Sequence, residues 1–269
     1  MSVIEAVLWG ILQGLTEFLP VSSSGHLVLV PWLTGREPSS FTFDVLVHFG
    51  SLFAIVFYFR QDLVDLFMGG IELIRTRSIE TPKARMAWLI LLSLIPAGVV
   101  VLLFRHLLLR LFSAPPAAAG LLLVTGTVMF LAELYATRRR GMVGLQSRES
   151  VIIGVAQSVA LAPGISRSGA TISTGLALGL DRPDAARFSF LMAIPAILGA
   201  TILEFIELLR GHVPNEPPHV LAVGFVAALI SGYLAIALLL RHLQKRGLRP
   251  FAYYCWAMGI FSLIVFLVR

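Results

Sequence analysis

Two polar stretches carry the side chains that could do chemistry in this chain. In the first, Gln13 and Glu17 lie four residues apart in otherwise apolar sequence, and Ser22-Ser23-Ser24-Gly25-His26 follows Pro20. Residues four apart share one face of a helix, and a proline ring ends a helix by clashing with the carbonyl four residues earlier. The sequence therefore predicts a helix that presents an amide and a carboxylate, followed by a bend rich in hydroxyl groups.

The second stretch repeats the first. Residues 9–25 align without a gap on residues 153–169, so that LPVSSSG is matched by PGISRSG. The second copy adds Arg167 between its two serines. The matched pairs are Gly10 and Gly154, Gln13 and Gln157, Ser22 and Ser166, Ser24 and Ser168, and Gly25 and Gly169.

These residue types favour phosphate chemistry. Hydroxyl and backbone N–H groups at a helix N-terminus attract anions, and the planar fork of an arginine suits phosphate. We expect the phosphate ligands to be Arg167 together with Ser22, Ser24, Gly25, Ser166, Ser168 and Gly169. The alternative left open by the sequence is a structural ion pair between Arg167 and Glu17.

The first stretch also offers groups for catalysis and for a metal. Glu17 and Gln13 supply oxygen ligands, which predicts a hard divalent cation bridging the carboxylate and the phosphates. His26 follows the hydroxyl groups directly, so we expect a nucleophilic or general acid–base role for it. A purely structural histidine is the alternative. Asp44 and His48 form a second, weaker polar pair.

The composition indicates the environment in which this site must be built. Hydrophobic residues make up 57% of the 269 residues and charged residues only 13%, which is too little charge to cover a soluble surface. Runs long enough to cross a bilayer recur along the chain. We therefore interpret the net charge of +6 as loop topology, and we expect no nucleic-acid partner. The single cysteine, Cys255, excludes an intramolecular disulfide.

The predicted fold class is an all-α polytopic membrane protein with an inverted-topology repeat. Irregular backbone cannot face lipid, so each bend must be enclosed by protein. We predict re-entrant helix hairpins at about residues 3–34 and 150–180, each followed by three transmembrane helices. The single membrane domain, residues 1–269, would divide into halves at about 1–140 and 148–269.

The distribution of basic residues predicts the orientation. If the loop around residues 60–85 is cytoplasmic, fifteen of the 21 Lys and Arg residues lie inside, five lie outside, and Arg167 stays in the second bend. This asymmetry is a positive-inside signal. The inside set is Arg60, Arg75, Arg77, Lys83, Arg85, Arg138, Arg139, Arg140, Arg148, Arg182, Arg187, Arg241, Lys245, Arg246 and Arg249; the outside set is Arg36, Arg105, Arg110, Arg210 and Arg269.

The motifs QGLTEFLPVSSSGH and PGISRSG, in this order, resemble the two signatures of the undecaprenyl-diphosphate phosphatase family, the integral-membrane bacitracin-resistance type. The resemblance covers essentially the whole chain, including FDVLVHFGSLFAIVFY and RFSFLMAIPA. The family often carries glutamate at the first acidic position. Gln13 departs from this pattern, which leaves one charge fewer for a metal.

The resemblance implies an enzyme that hydrolyses undecaprenyl (C55) diphosphate to undecaprenyl phosphate and inorganic phosphate. Such an enzyme recycles the lipid carrier of peptidoglycan and other cell-wall polymers in the bacterial inner membrane, and it confers bacitracin resistance. The family site faces outward and uses Mg²⁺ or Ca²⁺. The matching catalytic residues are Glu17, Ser23, His26 and Arg167, with Ser23 and His26 both open as the nucleophile.

A transport function is the alternative to the enzyme. Inverted repeats with broken helices are typical of transporters, so the same site could flip the lipid carrier or move an anion. Either function implies the same partners, a polyprenyl diphosphate lipid and the bilayer. The sequence allows small residues such as Gly175 and Gly224 to pack helices within one chain or in a homodimer.

Overall fold

The described part of the chain folds into eleven α-helices joined by turns and one short 3₁₀ helix at Met142–Gly144. The computed structural model describes residues 1–112, 114–137, 140–209 and 216–269. Three arginines of the charge count, Arg138, Arg139 and Arg210, lie outside these ranges. The helices are α1 Val3–Phe18, α2 Ser23–Thr34, α3 Phe41–Tyr58, α4 Arg60–Thr76, α5 Pro82–Phe112, α6 Pro115–Tyr135, α7 Ser147–Val159, α8 Arg167–Ala177, α9 Arg182–Leu209, α10 Pro218–Lys245 and α11 Arg249–Val268.

Six of these helices are long and apolar enough to cross a membrane. They are α3, α5, α6, α9, α10 and α11. Large apolar side chains on them face outward; Leu102 on α5 is 83% exposed and Leu267 on α11 is 81% exposed. Exposed apolar surface of this extent marks contact with lipid or with protein. The prediction of an all-α polytopic membrane protein is confirmed.

Four of the five other helices form two pairs, α1 with α2 and α7 with α8, and α4 is the fifth. Helix α1 begins with a capping box in which Ser2 and Glu5 bond each other's backbone N–H groups. It ends at Phe18, two residues before Pro20, as the sequence predicts. Helix α7 begins with the same type of box, made by Gln146 and Glu149. Each predicted hairpin segment therefore contains two short helices separated by a bend. That these pairs re-enter the membrane stays a prediction.

Each hairpin packs against a long helix from the other half of the chain. Helix α1 lies mainly against α10, and α7 lies mainly against α5. Close approach at glycine makes both contacts possible, since a Cβ atom on Gly14 would lie 2.1 Å from Ser231 Oγ and one on Gly154 would lie 2.3 Å from the Ser93 carbonyl oxygen. The first hairpin thus packs on a helix of the second half and the second hairpin on a helix of the first half, which is compatible with the sequence repeat. The inverted orientation of the halves in the membrane stays a prediction.

The small residues singled out in the sequence are used within the chain. A Cβ atom on Gly224 would lie 2.4 Å from the ring of Phe43, and one on Gly175 would lie 3.0 Å from Ala185. These positions therefore pack helices of one protomer. The homodimer stays a prediction.

The close approach of α1 and α10 predicts a strong effect of a single methyl group on stability. In Gly14→Ala, the new Cβ would overlap backbone and hydroxyl atoms of α10, and overpacking of this kind costs about 1–3 kcal/mol. We expect the thermal unfolding midpoint of the detergent-purified protein to fall by several degrees.

Gly120→Ala is the matched control for this substitution. Gly120 lies in α6, and a Cβ atom added to it would have no neighbouring atom within 4 Å, while alanine is favoured over glycine in helices by about 1 kcal/mol. Its midpoint should stay unchanged or rise. Equal midpoints for the two variants would contradict the close α1–α10 contact.

Candidate functional site

The two bends meet each other through reciprocal hydrogen bonds. Ser22 Oγ at the first bend donates to the carbonyl of Ile165 at 3.3 Å, and Ser168 Oγ donates to the carbonyl of Leu19, also at 3.3 Å. The approach is close, because a Cβ atom on Gly25 would lie 3.0 Å from Gly164 Cα. Each bend therefore satisfies backbone groups of the other, as irregular backbone inside a membrane protein requires.

The matched serines begin the second helix of each hairpin. Ser22 Oγ accepts a hydrogen bond from the N–H of Gly25 at 3.2 Å, and Ser166 Oγ accepts one from the N–H of Gly169 at 3.0 Å. Each cap hydroxyl also lies 3.3 Å from the hydroxyl of Ser24 or Ser168. These serines thus act as N-caps. That these serines also bind phosphate stays a prediction.

Glu17 is the centre of the polar cluster. Its Oε2 accepts hydrogen bonds from Ser23 Oγ at 2.7 Å and from Gln13 Nε2 at 3.1 Å. Its Oε1 accepts from Arg167 Nη2 at 3.1 Å, and the side chains of Arg167 and Glu17 are 17% and 9% exposed. Residues from both hairpins therefore meet at one carboxylate, and the structural ion pair that the sequence left open is present.

The ring nitrogens of His26 contact groups other than this carboxylate. Its Nδ1 lies 2.8 Å from the carbonyl oxygen of Ser22, and its Nε2 lies 2.7 Å from the hydroxyl of Tyr254 on α11. Because a carbonyl can only accept, Nδ1 carries the hydrogen and Nε2 accepts from the tyrosine. Both ring nitrogens are thus engaged outside the Glu17 cluster.

Several buried polar atoms near the hairpins have no hydrogen-bond partner. Among the described residues, these side-chain atoms are Gln13 Oε1, Arg167 Nη1, Ser173 Oγ and both amide atoms of Gln157, all on α1, α7 or α8. An unpaired buried polar group costs about 1–3 kcal/mol. Such atoms lie on three hairpin helices and on no other described element, so these helices have buried hydrogen-bonding groups available to a polar ligand.

The described residues contain no group of three or more His, Cys, Asp and Glu side chains arranged to hold a metal. A cation would find Glu17 and the unpaired oxygen of Gln13. Mg²⁺ is often held by one or two carboxylates and completed by substrate phosphates and water. The donor set therefore fits a divalent cation shared with a phosphate ligand.

Sequence reasoning missed three contributions to the site. Tyr254 comes from the last helix, and Thr125 on α6 donates to the Gly164 carbonyl at 2.8 Å while accepting from the N–H of Ser166 at 3.0 Å. The unpaired amide of Gln157 is the third, and its alignment with Gln13 was the available signal. The polar pair on α3 is linked through the backbone, since His48 Nδ1 lies 2.8 Å from the carbonyl oxygen of Asp44.

The fold and site define a polytopic helical membrane protein whose buried polar site is shared by two helix hairpins. Comparison with known families assigns it further. The family described as "Bacitracin resistance protein BacA" matches residues 6–261, and the chain belongs to this family. The resemblance identified from the two motifs is confirmed.

Curated relatives match over almost their full length. An undecaprenyl-diphosphatase of Pelobacter propionicus is 43% identical over 94% of this chain and 93% of that protein. Proteins of the same name from Methanobrevibacter smithii and Thermomicrobium roseum are 42% and 41% identical, over 97% and 98% of this chain and 96% and 98% of their own.

The ion pair between the hairpins predicts a large stability effect of neutralising Glu17. In Glu17→Gln, the Arg167 guanidinium stays enclosed without its counter-charge, and breaking a buried pair in this way costs about 3–5 kcal/mol. We expect a clearly lower unfolding midpoint in detergent.

Glu5→Gln is the control, because it removes the same charge from the same helix. Glu5 pairs with Arg36 at the surface, with side chains 36% and 58% exposed, and glutamine suits a capping box. Little change is expected. A Glu17→Gln midpoint equal to that of Glu5→Gln would contradict a buried ion pair.

Proposed function

We propose that this chain hydrolyses undecaprenyl diphosphate, a C55 polyprenyl diphosphate, to undecaprenyl phosphate and inorganic phosphate. One observation carries the proposal. The Ser23 hydroxyl donates to the Glu17 carboxylate at 2.7 Å, beside a guanidinium that has one buried nitrogen, Nη1, without a protein partner. A nucleophile, a base and an anion ligand are thus adjacent. The names of the curated relatives support the substrate class.

Ser23 is the nucleophile in this proposal, and His26 is not. The two ring nitrogens of His26 are held by Ser22 and Tyr254, whereas the Ser23 hydroxyl already contacts a base. Such an adjacent base is the usual means of activating a serine. Arg167 Nη1 would bind the terminal phosphate and stabilise the charge that develops on it.

The reaction then has two steps. Ser23 Oγ bonds to the terminal phosphorus as Glu17 Oε2 takes the hydroxyl proton, and the bond from that phosphorus to the bridging oxygen breaks. The proton passes to the leaving undecaprenyl phosphate. In the second step water bonds to the phosphorus of the phosphoserine and gives a proton to Glu17. The bond to Oγ breaks, and the proton returns to Oγ.

Glu17 and Gln13 Oε1 are the residues that would hold a divalent cation, Mg²⁺ or Ca²⁺. When bound, the cation would offset the negative charge of the diphosphate. Gln13 would contribute a neutral ligand, so Glu17 supplies the only full negative charge of this donor set. We expect a modest affinity for the free cation, and tighter binding together with the substrate.

The placement of the site suits a lipid substrate. The hairpins lie among helices that can cross a membrane, so a prenyl tail can stay in the bilayer while its diphosphate enters the polar cluster. We propose that the protein works in the bacterial inner membrane with the site facing outward. There it would recycle the carrier lipid for cell-wall polymers and confer bacitracin resistance.

The nucleophile is tested by Ser23→Ala. Loss of an activated nucleophile typically lowers kcat by about 10³-fold or more, and we expect a loss of this size in phosphate release from a polyprenyl diphosphate by the purified protein. Acid-quenched wild-type protein should carry a phosphoserine at position 23, detected by mass spectrometry.

Ser158→Ala is the matched control for this experiment. The Ser158 hydroxyl is bonded to the Val155 carbonyl within its own helix, so this variant should release phosphate at the wild-type rate. Undiminished activity of folded Ser23→Ala would exclude a serine nucleophile and leave attack by His26 or by water.

The cation is tested by chelation. EDTA should abolish phosphate release, and added Mg²⁺ or Ca²⁺ should restore it. Gln13→Leu should need a higher cation concentration for half-maximal rate, because it removes one oxygen ligand. Activity unaffected by EDTA would rule out the cation, and wild type that binds the lipid without releasing phosphate would favour the transport alternative.

A further inference from the structure

The first bend contains a strained residue that the second bend lacks. Ser22, the N-cap of α2, has φ 69° and ψ 94°, a left-handed conformation that is unfavourable for any residue except glycine. Its counterpart Ser166 has φ −78° and ψ 122°, which is ordinary extended backbone. The strained residue therefore lies in the hairpin that carries Ser23. Its backbone conformation must be stabilised by contacts with other groups.

Hydrogen bonds from His26 hold the strained residue. The Ser22 carbonyl accepts the backbone N–H of His26 at 3.1 Å and the ring Nδ1–H at 2.8 Å. In the second hairpin the residue aligned with His26 is Ala170, which has no ring to offer. The imidazole and the strained N-cap thus occur together in the first hairpin, and the second hairpin has neither.

The imidazole is in turn fixed by Tyr254. The tyrosine hydroxyl lies 2.7 Å from Nε2, and the two rings are nearly parallel, at 9° with centroids 5.7 Å apart. His26 is 2% exposed. A hydroxyl that donates to Nε2 stabilises the tautomer with hydrogen on Nδ1. The opposite tautomer would place a lone pair against the Ser22 carbonyl.

We propose that Tyr254 is a positioning residue for the hydrolytic reaction. Acting through His26, it holds the left-handed cap at Ser22, and this cap sets Ser23 against Glu17. The inference rests on the proposed function in that Ser23 is the nucleophile. It gives α11 a part in catalysis without contact with the substrate. It also makes His26 a brace, meaning a residue that stabilises the conformation of the first bend.

The test compares Tyr254→Phe with Tyr253→Phe. The neighbouring Tyr253 packs against Phe130 and Trp256. Within the described part of the chain it forms no hydrogen bond or ring contact with His26, so its variant is a matched loss of one hydroxyl. For Tyr254→Phe we expect kcat to fall about tenfold with KM changed less than about twofold, because a buried acceptor is left unpaired while the phosphate ligands stay in place. Tyr253→Phe should match wild type in both constants.

Nitrogen NMR of histidine side chains supplies a readout that does not depend on activity. With ¹⁵N-labelled histidine, and the His26 signals assigned by their loss in His26→Asn, wild type should show a protonated Nδ1 and an unprotonated Nε2. The Nε2 signal should move in Tyr254→Phe and stay in Tyr253→Phe. An Nε2-protonated ring in wild type, or an unmoved signal in Tyr254→Phe, would overturn the inference.

His26→Asn separates a brace from a catalytic group. Asparagine keeps a side-chain N–H that can reach the Ser22 carbonyl but offers no ring nitrogen to Tyr254. We expect partial activity, and no further loss when Tyr254→Phe is added to this variant. A folded but inactive His26→Asn would make His26 part of the chemistry and overturn the brace. If wild type released no phosphate, the proposed function would fail while the NMR result still decided the contact.

Discussion

A buried ion pair between two interrupted helices constrains the whole structure. Glu17 and Arg167 are separated by most of the chain and meet at 3.1 Å with little exposure to solvent. Charges enclosed in this way are stable only when paired and hydrogen-bonded, and the bends beside them carry backbone groups that lipid cannot satisfy. The serine caps and the reciprocal hydrogen bonds between the bends meet both requirements.

Much of this site could be predicted because its signals are local. The spacing of Gln13 and Glu17, the helix-ending Pro20 and the aligned serines all act within one turn or one bend, and the structure places Glu17, Ser23, Gln13 and Arg167 together. The six helices able to cross a membrane could also be predicted, because the length of an apolar run is read directly from the sequence.

The parts that could not be predicted depend on which distant helices touch. Nothing near His26 in the sequence indicates that its ring faces Tyr254 rather than Ser23. Likewise Glu133, near the end of α6, is 4% exposed and forms a buried ion pair with Arg182, and it accepts the N–H of Leu248 at 3.1 Å. Pairings of this kind depend on which helices pack together in the folded protein, and the local sequence around each residue does not indicate this.

The packing of α1 on α10 has a consequence for biosynthesis. About 200 residues separate the two helices, so at 5–20 residues per second the ribosome needs about 10–40 s to supply the partner of α1. Throughout this time α1 carries a carboxylate and a helix face shaped for α10. The Glu17 side of the polar cluster is therefore synthesised well before α10, and a nascent chain arrested before α10 carries α1 without its main packing partner.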